Sequence, residues 1–191
     1  MKKITLSILL SIFLCFAASA QEDLLTMNLG ISSGIPFYGD QNQNLFATQI
    51  ETDKRVIVGT FLNANLNLIK QVSFYIGAEL LTDFNWKDYS YKHFLHTGFP
   101  LGIKVYPGLG GLNLGLAYEL GFRSDFYQLP NGSSVNNSMA WGNGFKLHIE
   151  YNFAHTSKIK NLPIIGCSWN LMPRGNYSYD NLLVFYLGLN F

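Results

Sequence analysis

Eight segments of this chain alternate apolar and polar residues with a period of two, and their glycines and charges all fall on one parity. A period of two puts successive side chains on opposite faces of a β-strand. The segments run over about 25–35, 55–68, 72–82, 94–106, 111–123, 140–153, 164–172 and 181–191. The fifth is the cleanest. Leu112, Leu114, Leu116, Tyr118, Leu120 and Phe122 share one face, and Asn113, Gly115, Ala117, Glu119, Gly121 and Arg123 share the other. Gly30, Gly59, Gly77, Gly98, Gly102, Gly166 and Gly188 lie on the polar parity, as do Glu79, Lys104, Glu119, Arg123, Lys146, His148 and Glu150. Glycine normally weakens a strand. It becomes useful on the inside of a narrow closed barrel, where side chains have little room. The pattern therefore predicts a sheet that closes with its polar face inward and its apolar face outward.

An apolar outer face belongs in lipid. Closure is then required, because an open sheet edge in hydrocarbon leaves backbone groups unpaired. The opposite arrangement, a soluble lipocalin-like barrel, would cover its wet surface with glycine and asparagine and few charges. Composition argues against it: 13% of the residues are charged and 15% aromatic, whereas soluble surfaces are rich in Lys and Glu. After the first twenty residues no stretch approaches the ~20 apolar residues of a membrane-spanning helix. The expected fold is all-β, an eight-stranded antiparallel up-and-down transmembrane β-barrel. No repeat or linker suggests a second domain.

The two ends of the chain agree with that reading. Met1, Lys2 and Lys3 precede an apolar run from Ile4 to Ala17 and the small residues Ala18, Ser19 and Ala20. This is the pattern of a cleaved secretory signal peptide, so residues 1–20 are expected to be removed and 21–191 to form the barrel domain. Cys15 lies inside this segment, but bulky Phe13 and Leu14 precede it, which argues against a lipoprotein. The remaining chain has a single cysteine, Cys167, and hence no intramolecular disulfide. Without Lys2 and Lys3, eleven basic residues face twelve acidic ones. That balance removes the electrostatic case for a nucleic-acid partner. At the other end Leu183, Phe185, Leu187, Leu189 and Phe191 form one strand face, and the chain stops on the aromatic.

That final run resembles the C-terminal assembly signal of bacterial outer-membrane barrels. The resemblance implies that the barrel-assembly machinery reads Phe185, Leu187, Leu189 and Phe191. In architecture the chain resembles the small eight-stranded outer-membrane proteins of the OmpA/OmpX/opacity type. The run from Met27 to Asp40 is also similar to small spirochaetal barrel proteins. The resemblance implies a place in the bacterial outer membrane, surrounded by outer-membrane lipid. Four loops would face outward toward an extracellular ligand or host molecule. Members of these families are variously structural, adhesive or narrowly permeable, so the likeness leaves the function open.

The chemistry-bearing residues allow competing readings. Glu79, Lys104 and Glu119 come from adjacent strands, and Lys146, His148 and Glu150 from the next. Converging opposite charges in a narrow interior should pair, since an unpaired buried charge costs several kcal/mol. They are read as a lumen network that plugs the barrel. The alternative is an ion or small-ligand conduit. A lipid-modifying enzyme is a third reading, but His148 and Glu150 have no evident nucleophile beside them, so no catalytic residue is assigned. No metal or cofactor is expected. His93 and His96, three apart on a strand, point to opposite faces, and Gly108, Gly110 and Gly111 lack the lysine of a phosphate loop.

Connections are expected to alternate in length. Residues 69–71, 107–110 and 154–163 form the periplasmic set, and 36–54, 83–93, 124–139 and 173–180 the outward set. The outward segments hold Phe37, Tyr38, Phe84, Trp86, Tyr89, Tyr91, Phe126, Tyr127, Tyr177 and Tyr179. An interfacial aromatic belt is the default reading for them, and a recognition surface the alternative.

Overall fold

The computed structural model describes residues 24–38, 50–138, 141–157, 159, 161–173 and 179–191. The signal segment 1–20 and Tyr177 lie outside them. Among the described residues nine strands form: β1 (Leu25–Tyr38), β2 (Lys54–Ile69), β3 (Val72–Lys87), β4 (Ser90–Val105), β5 (Leu112–Gln128), β6 (Ser134–Ser138), β7 (Gly142–Asn152), β8 (Pro163–Pro173) and β9 (Tyr179–Asn190). All pairings are antiparallel between chain neighbours, and two contacts close the ring: β9 against β1, and β7 against β5 beside the β4–β5 pair. The short β6 and β7 share one edge of β5, with Ser124 opposite Ser138 and Gly121 opposite Gly142. The wall is thus an eight-stranded barrel, with β6 continuing the β7 position outward.

The ladder fixes the barrel's geometry. Paired residues lead from Leu112 through Tyr151, Ile165, Leu187, Ile31, Thr60, Leu80 and Thr97 back to β5 at Phe122, ten residues further on. A stagger of this size tilts the strands by about 35–45°. The outward apolar row of β5 runs from Leu112 to Phe122. At ~3.3 Å per residue and this tilt it covers about 25 Å, the height of the apolar band of an outer-membrane barrel.

Facing follows the alternation. Leu29, Ile31, Ile76, Leu101, Leu114, Leu116, Ile149, Ile165, Phe185 and Leu187 are exposed on the outside, while Asn28, Asn63, Lys104, Asn113, Glu119 and Glu150 are buried inside. Several inward glycines clear space for a side chain from another strand. A Cβ on Gly115 would collide with the His148 ring, and one on Gly98 would collide with Glu119.

Two outward segments differ from the sequence expectation. Residues 83–93 are not a loop: β3 and β4 continue to Lys87 and Ser90, leaving only Asp88 and Tyr89 to turn. Asp88 takes φ 51°, a left-handed conformation that Asp tolerates in tight turns. Residues 124–128 and 134–138 also keep strand pairing, as the end of β5 against β6. Charges at Asp83, Lys87, Asp88 and Lys92 give this stretch a loop-like composition. Yet Phe84 and Trp86 still alternate with Asp83 and Asn85, and the ladder follows the alternation.

Candidate functional site: a layered lumen and an aromatic outer wall

The start of β1 at Leu25 and the chain end at Phe191 lie at one end of the barrel, the terminal end, and the β3–β4 hairpin and β6 project from the other, the loop end. From the terminal end upward, the interior falls into layers.

The lowest is built on amides. Asn28, Asn65, Asn113, Asn152 and Asn190 are all buried and face inward from five strands. Above them Lys104 Nζ donates to Glu150 Oε1 at 2.9 Å, and both side chains are almost fully enclosed. Glu150 also accepts from Asn113 Nδ2 at 3.0 Å and from Tyr186 Oη at 3.2 Å. Three donors on one carboxylate make this a satisfied buried pair rather than a stranded one.

The next layer pairs Lys146 with Glu79, and Asn170 Nδ2 lies 3.4 Å from Glu79 Oε2. Glu119 is fully buried over Gly98, and neither of its oxygens meets a hydrogen-bond donor. The sequence reading grouped Glu79, Lys104 and Glu119 as one cluster. The ladder instead sends each lysine across the lumen to a carboxylate on a distant strand. His148 sits between the two pairs, its Nδ1 3.4 Å from Tyr75 Oη. Ser168 lies opposite His148 in the β7–β8 ladder, but neither Ser168 Oγ nor His148 Nε2 makes a hydrogen bond.

An apolar layer follows, formed by Leu81, Met172, Leu182 and Val184 with Ile57 packed against them. Between this layer and the amide floor the lumen keeps a cavity of about 30 Å³, bordered by Asn63, Tyr75, Glu79, Lys104, Lys146 and His148. That is room for roughly two waters at about 10–15 Å³ each.

The uppermost layer was not foreseen. Arg123 is not part of the lysine network. It donates to both oxygens of Asp125 at 2.6 and 2.7 Å and to Asp180 at 2.7 Å. Its guanidinium stands 5.2 Å from the Tyr38 ring centroid and 5.0 Å from that of Phe94. Beside it Arg55 grips Asp83 through two bonds of 2.9 and 2.8 Å, and Asn85 and Tyr38 donate to the same carboxylate. Ile50, Phe94 and Tyr127 cap this layer. Asp83, Asp125 and Asp180 were missed because they fall where loops were expected, Arg55 stands at the very start of its expected strand, and Tyr38 was read only as a belt or recognition aromatic. The signal was present, since Arg123, Asp125 and Tyr127 continue the inward parity of β5.

The loop-end aromatics divide by parity. Tyr38 and Tyr127 turn inward, while Phe84, Trp86, Tyr91 and Phe126 face out. On the outer wall Phe84 meets Trp86 and Tyr91 at 5.4 Å, and His93 lies between Phe84 and Phe126 at 5.6 and 5.4 Å. Tyr89, at the hairpin tip, is 88% exposed. His93 faces outward and His96 inward, and no group of metal-binding side chains occurs among the described residues. At the chain end Phe191 exchanges backbone hydrogen bonds with Met27 at 2.8 and 3.1 Å, and its ring is half exposed.

No protein-family model and no curated protein matches the chain by sequence. Among solved structures the barrel is similar to Ail, the attachment invasion locus protein of Yersinia pestis, in complex with the heparin analogue sucrose octasulfate. The TM-score is 0.60 at 11% identity, over 87% of this chain and 97% of that one. It is similar to Neisserial surface protein A with a TM-score of 0.52 at 11% identity, over 87% and 95% of the two chains. The fold of this chain is therefore that of the small eight-stranded outer-membrane β-barrels.

Proposed function

We propose that this chain is an integral outer-membrane protein with an occluded lumen, and that its role, structural or interactive, is exercised at the loop end. The observation that carries this reading is the layering of the interior. A path along the axis would cross the Lys104–Glu150 pair, the Lys146–Glu79 pair, the Leu81–Met172–Leu182 layer and the Arg123–Asp125–Asp180 cluster in turn. Each layer is buried and held from several strands. An eight-stranded barrel is just wide enough to fill itself in this way.

The loop end supports an interactive role through its ring-bearing outer wall and the exposed Tyr89. Ail, as its structure states, takes a heparin analogue. Here the described loop-end residues mix Glu51, Asp53 and Asp88 with Lys54 and Lys87. That mixture favours a partner recognised by aromatic and neutral polar contacts over a polyanion. A catalytic role has less support, because His148, Glu150 and Ser168 are enclosed and no base reaches the hydroxyl.

The polar cavity around Lys104 and Lys146 favours a second reading, a narrow conduit. Planar-bilayer recording separates the two. The occluded barrel gives no sustained steps. Steady conductance of the unmodified protein, with an ion preference that changes on Lys104→Met, would establish the conduit instead.

A further inference from the structure

The outer wall carries its rings in two tiers. The lower tier follows the rim of the apolar band. Trp141 lies 4.6 Å from Phe122 and 5.7 Å from Phe99, Tyr118 donates to Asn143, and Trp169 Nε1 donates to Asn181 Oδ1 at 3.2 Å. This tier is the interfacial belt expected of a barrel. Among the described residues the mutually packed rings of the upper tier lie on β3, β4 and β5. Phe126 stands four residues beyond Phe122 on β5, and His93 six beyond Phe99 on β4. Thr82, Thr97 and Ser124 face outward between the tiers. At ~3.3 Å per residue and ~40° of tilt, four residues raise the upper tier by about 10 Å. That carries it through the headgroup zone, which adds about 5–8 Å to each side of the hydrocarbon core.

The upper tier is one continuous surface. Trp86, Phe84, Tyr91, His93 and Phe126 tile it at centroid spacings of 5.4 to 5.6 Å. The electron-rich faces of such rings attract the C–H edges of a flat apolar surface, and pyranose sugars present C–H faces of this kind. Exposed Asn136, opposite Phe126 in the ladder, adds a neutral amide that can bond sugar hydroxyls. Lys54, opposite Trp86, is the cation the ladder places on this face, too little charge for a phosphate cluster. Below it, past the short row of Thr82, Thr97 and Ser124, the same outer face of β3, β4 and β5 becomes the lipid-facing wall. A molecule whose acyl chains lie on Leu80 and Phe122 therefore presents its headgroup at the upper tier.

We infer that this tier docks the sugar rings of an outer-leaflet glycolipid. The inference rests on the barrel being seated in the outer membrane, and it is independent of whether the lumen conducts. The sequence has three tryptophans, so Trp141→Phe with Trp169→Phe leaves Trp86 as the sole reporter. The protein is placed in nanodiscs containing lipid A that carries core sugars, or lipid A without them, and Trp86 is quenched with acrylamide. The expected result is a quenching constant at least threefold lower with the core sugars, and a difference that disappears in Tyr91→Leu/Phe126→Leu. Equal quenching in the two lipids would overturn the inference, as would protection that survives removal of the rings. Equal protection by free core oligosaccharide over phospholipid nanodiscs would also overturn it, by assigning the surface to a soluble glycan. A companion variant keeping only Trp169 reports insertion. Its shielding in both lipids is expected, and its loss in both would count against membrane seating and the inference together.

Discussion

Replacing Lys104 with methionine tests the pairing inside the lumen. The side chain keeps its length and loses its charge. Glu150 is then left fully enclosed, and it had accepted bonds from Lys104, Asn113 and Tyr186 at 2.9, 3.0 and 3.2 Å. Breaking a buried ion pair from one side costs about 3–5 kcal/mol. The two neutral donors remain, and neighbouring water screens part of the stranded charge, so the lower end, about 3 kcal/mol, is expected for Lys104→Met. Adding Glu150→Gln removes the stranded charge and keeps an acceptor for Asn113, so it should restore about half or more of the loss. Adding Glu119→Gln instead should restore nothing through Lys104, because Glu119 does not contact it. Urea titrations of these three variants, of the single Glu150→Gln and Glu119→Gln variants and of the unmodified protein in lipid vesicles, read by near-ultraviolet circular dichroism and by heat-modifiable gel mobility, give the coupling energies. A loss under about 1 kcal/mol, or a rescue as large with Glu119→Gln as with Glu150→Gln, would refute the pairing.

Other perturbations probe the wall, the rim and the chain end. Leu116→Arg, in mid-belt and half exposed, should cost about 2–4 kcal/mol in a bilayer, whereas Gln128→Arg above the belt should cost about 0–1; vesicle folding titrations compare them. Gly115→Ala drives a methyl into the His148 ring and should destabilise by about 1–3 kcal/mol, a loss that His148→Ala reduces in the double variant. His155, in the turn at the terminal end, stacks on Tyr106 with ring centroids 3.7 Å apart. Burial, and secondarily Lys70, holds its imidazole below the ordinary range. The folded state thus prefers neutral His155, so its contribution is complete above the ordinary imidazole range and is lost as pH falls through that range. His155→Phe should flatten this acid limb in unfolding curves taken from pH 8 to pH 5. Deleting Phe191 removes two backbone bonds to Met27 and, by resemblance to the assembly signal, should lower the heat-modifiable folded fraction in the outer membrane more than Phe191→Leu does.

The barrel wall was legible because one constraint acted on every strand. A residue such as Leu116 faces lipid and its neighbours Gly115 and Ala117 face a crowded lumen, so alternation and glycine placement report the same closure. The outer extensions were less legible for a physical reason. Above the lipid the outward face no longer has to be aliphatic, so Thr82, His93 and Ser124 blur the pattern where β3, β4 and β5 continue. The pairing of charges was hidden for a different reason. Neighbouring strands suggested Glu79 with Lys104, but strand tilt carries Lys104 across to Glu150 on β7 and Lys146 across to Glu79 on β3. Sequence order alone does not contain the stagger that decides this. The Arg123–Asp125–Asp180 cluster combines both effects, since Asp125 and Asp180 lie in segments read as loops and Asp180 belongs to β9, the strand that closes the ring on β1.

The central claim is that this sheet is closed inside out, with odd positions of β5 in the lumen and even positions in lipid. Nitroxide scanning measures it directly. In a Cys167→Ser background, single cysteines from 112 to 122 are spin-labelled one at a time in lipid vesicles, and their collisions with oxygen and with a water-soluble nickel chelate are compared. The account predicts a period-two pattern, with high oxygen accessibility at Leu112, Leu114, Leu116, Tyr118, Leu120 and Phe122 and low accessibility to both reagents at the residues between them. Chelate accessibility at the even positions, or the absence of alternation, would contradict it.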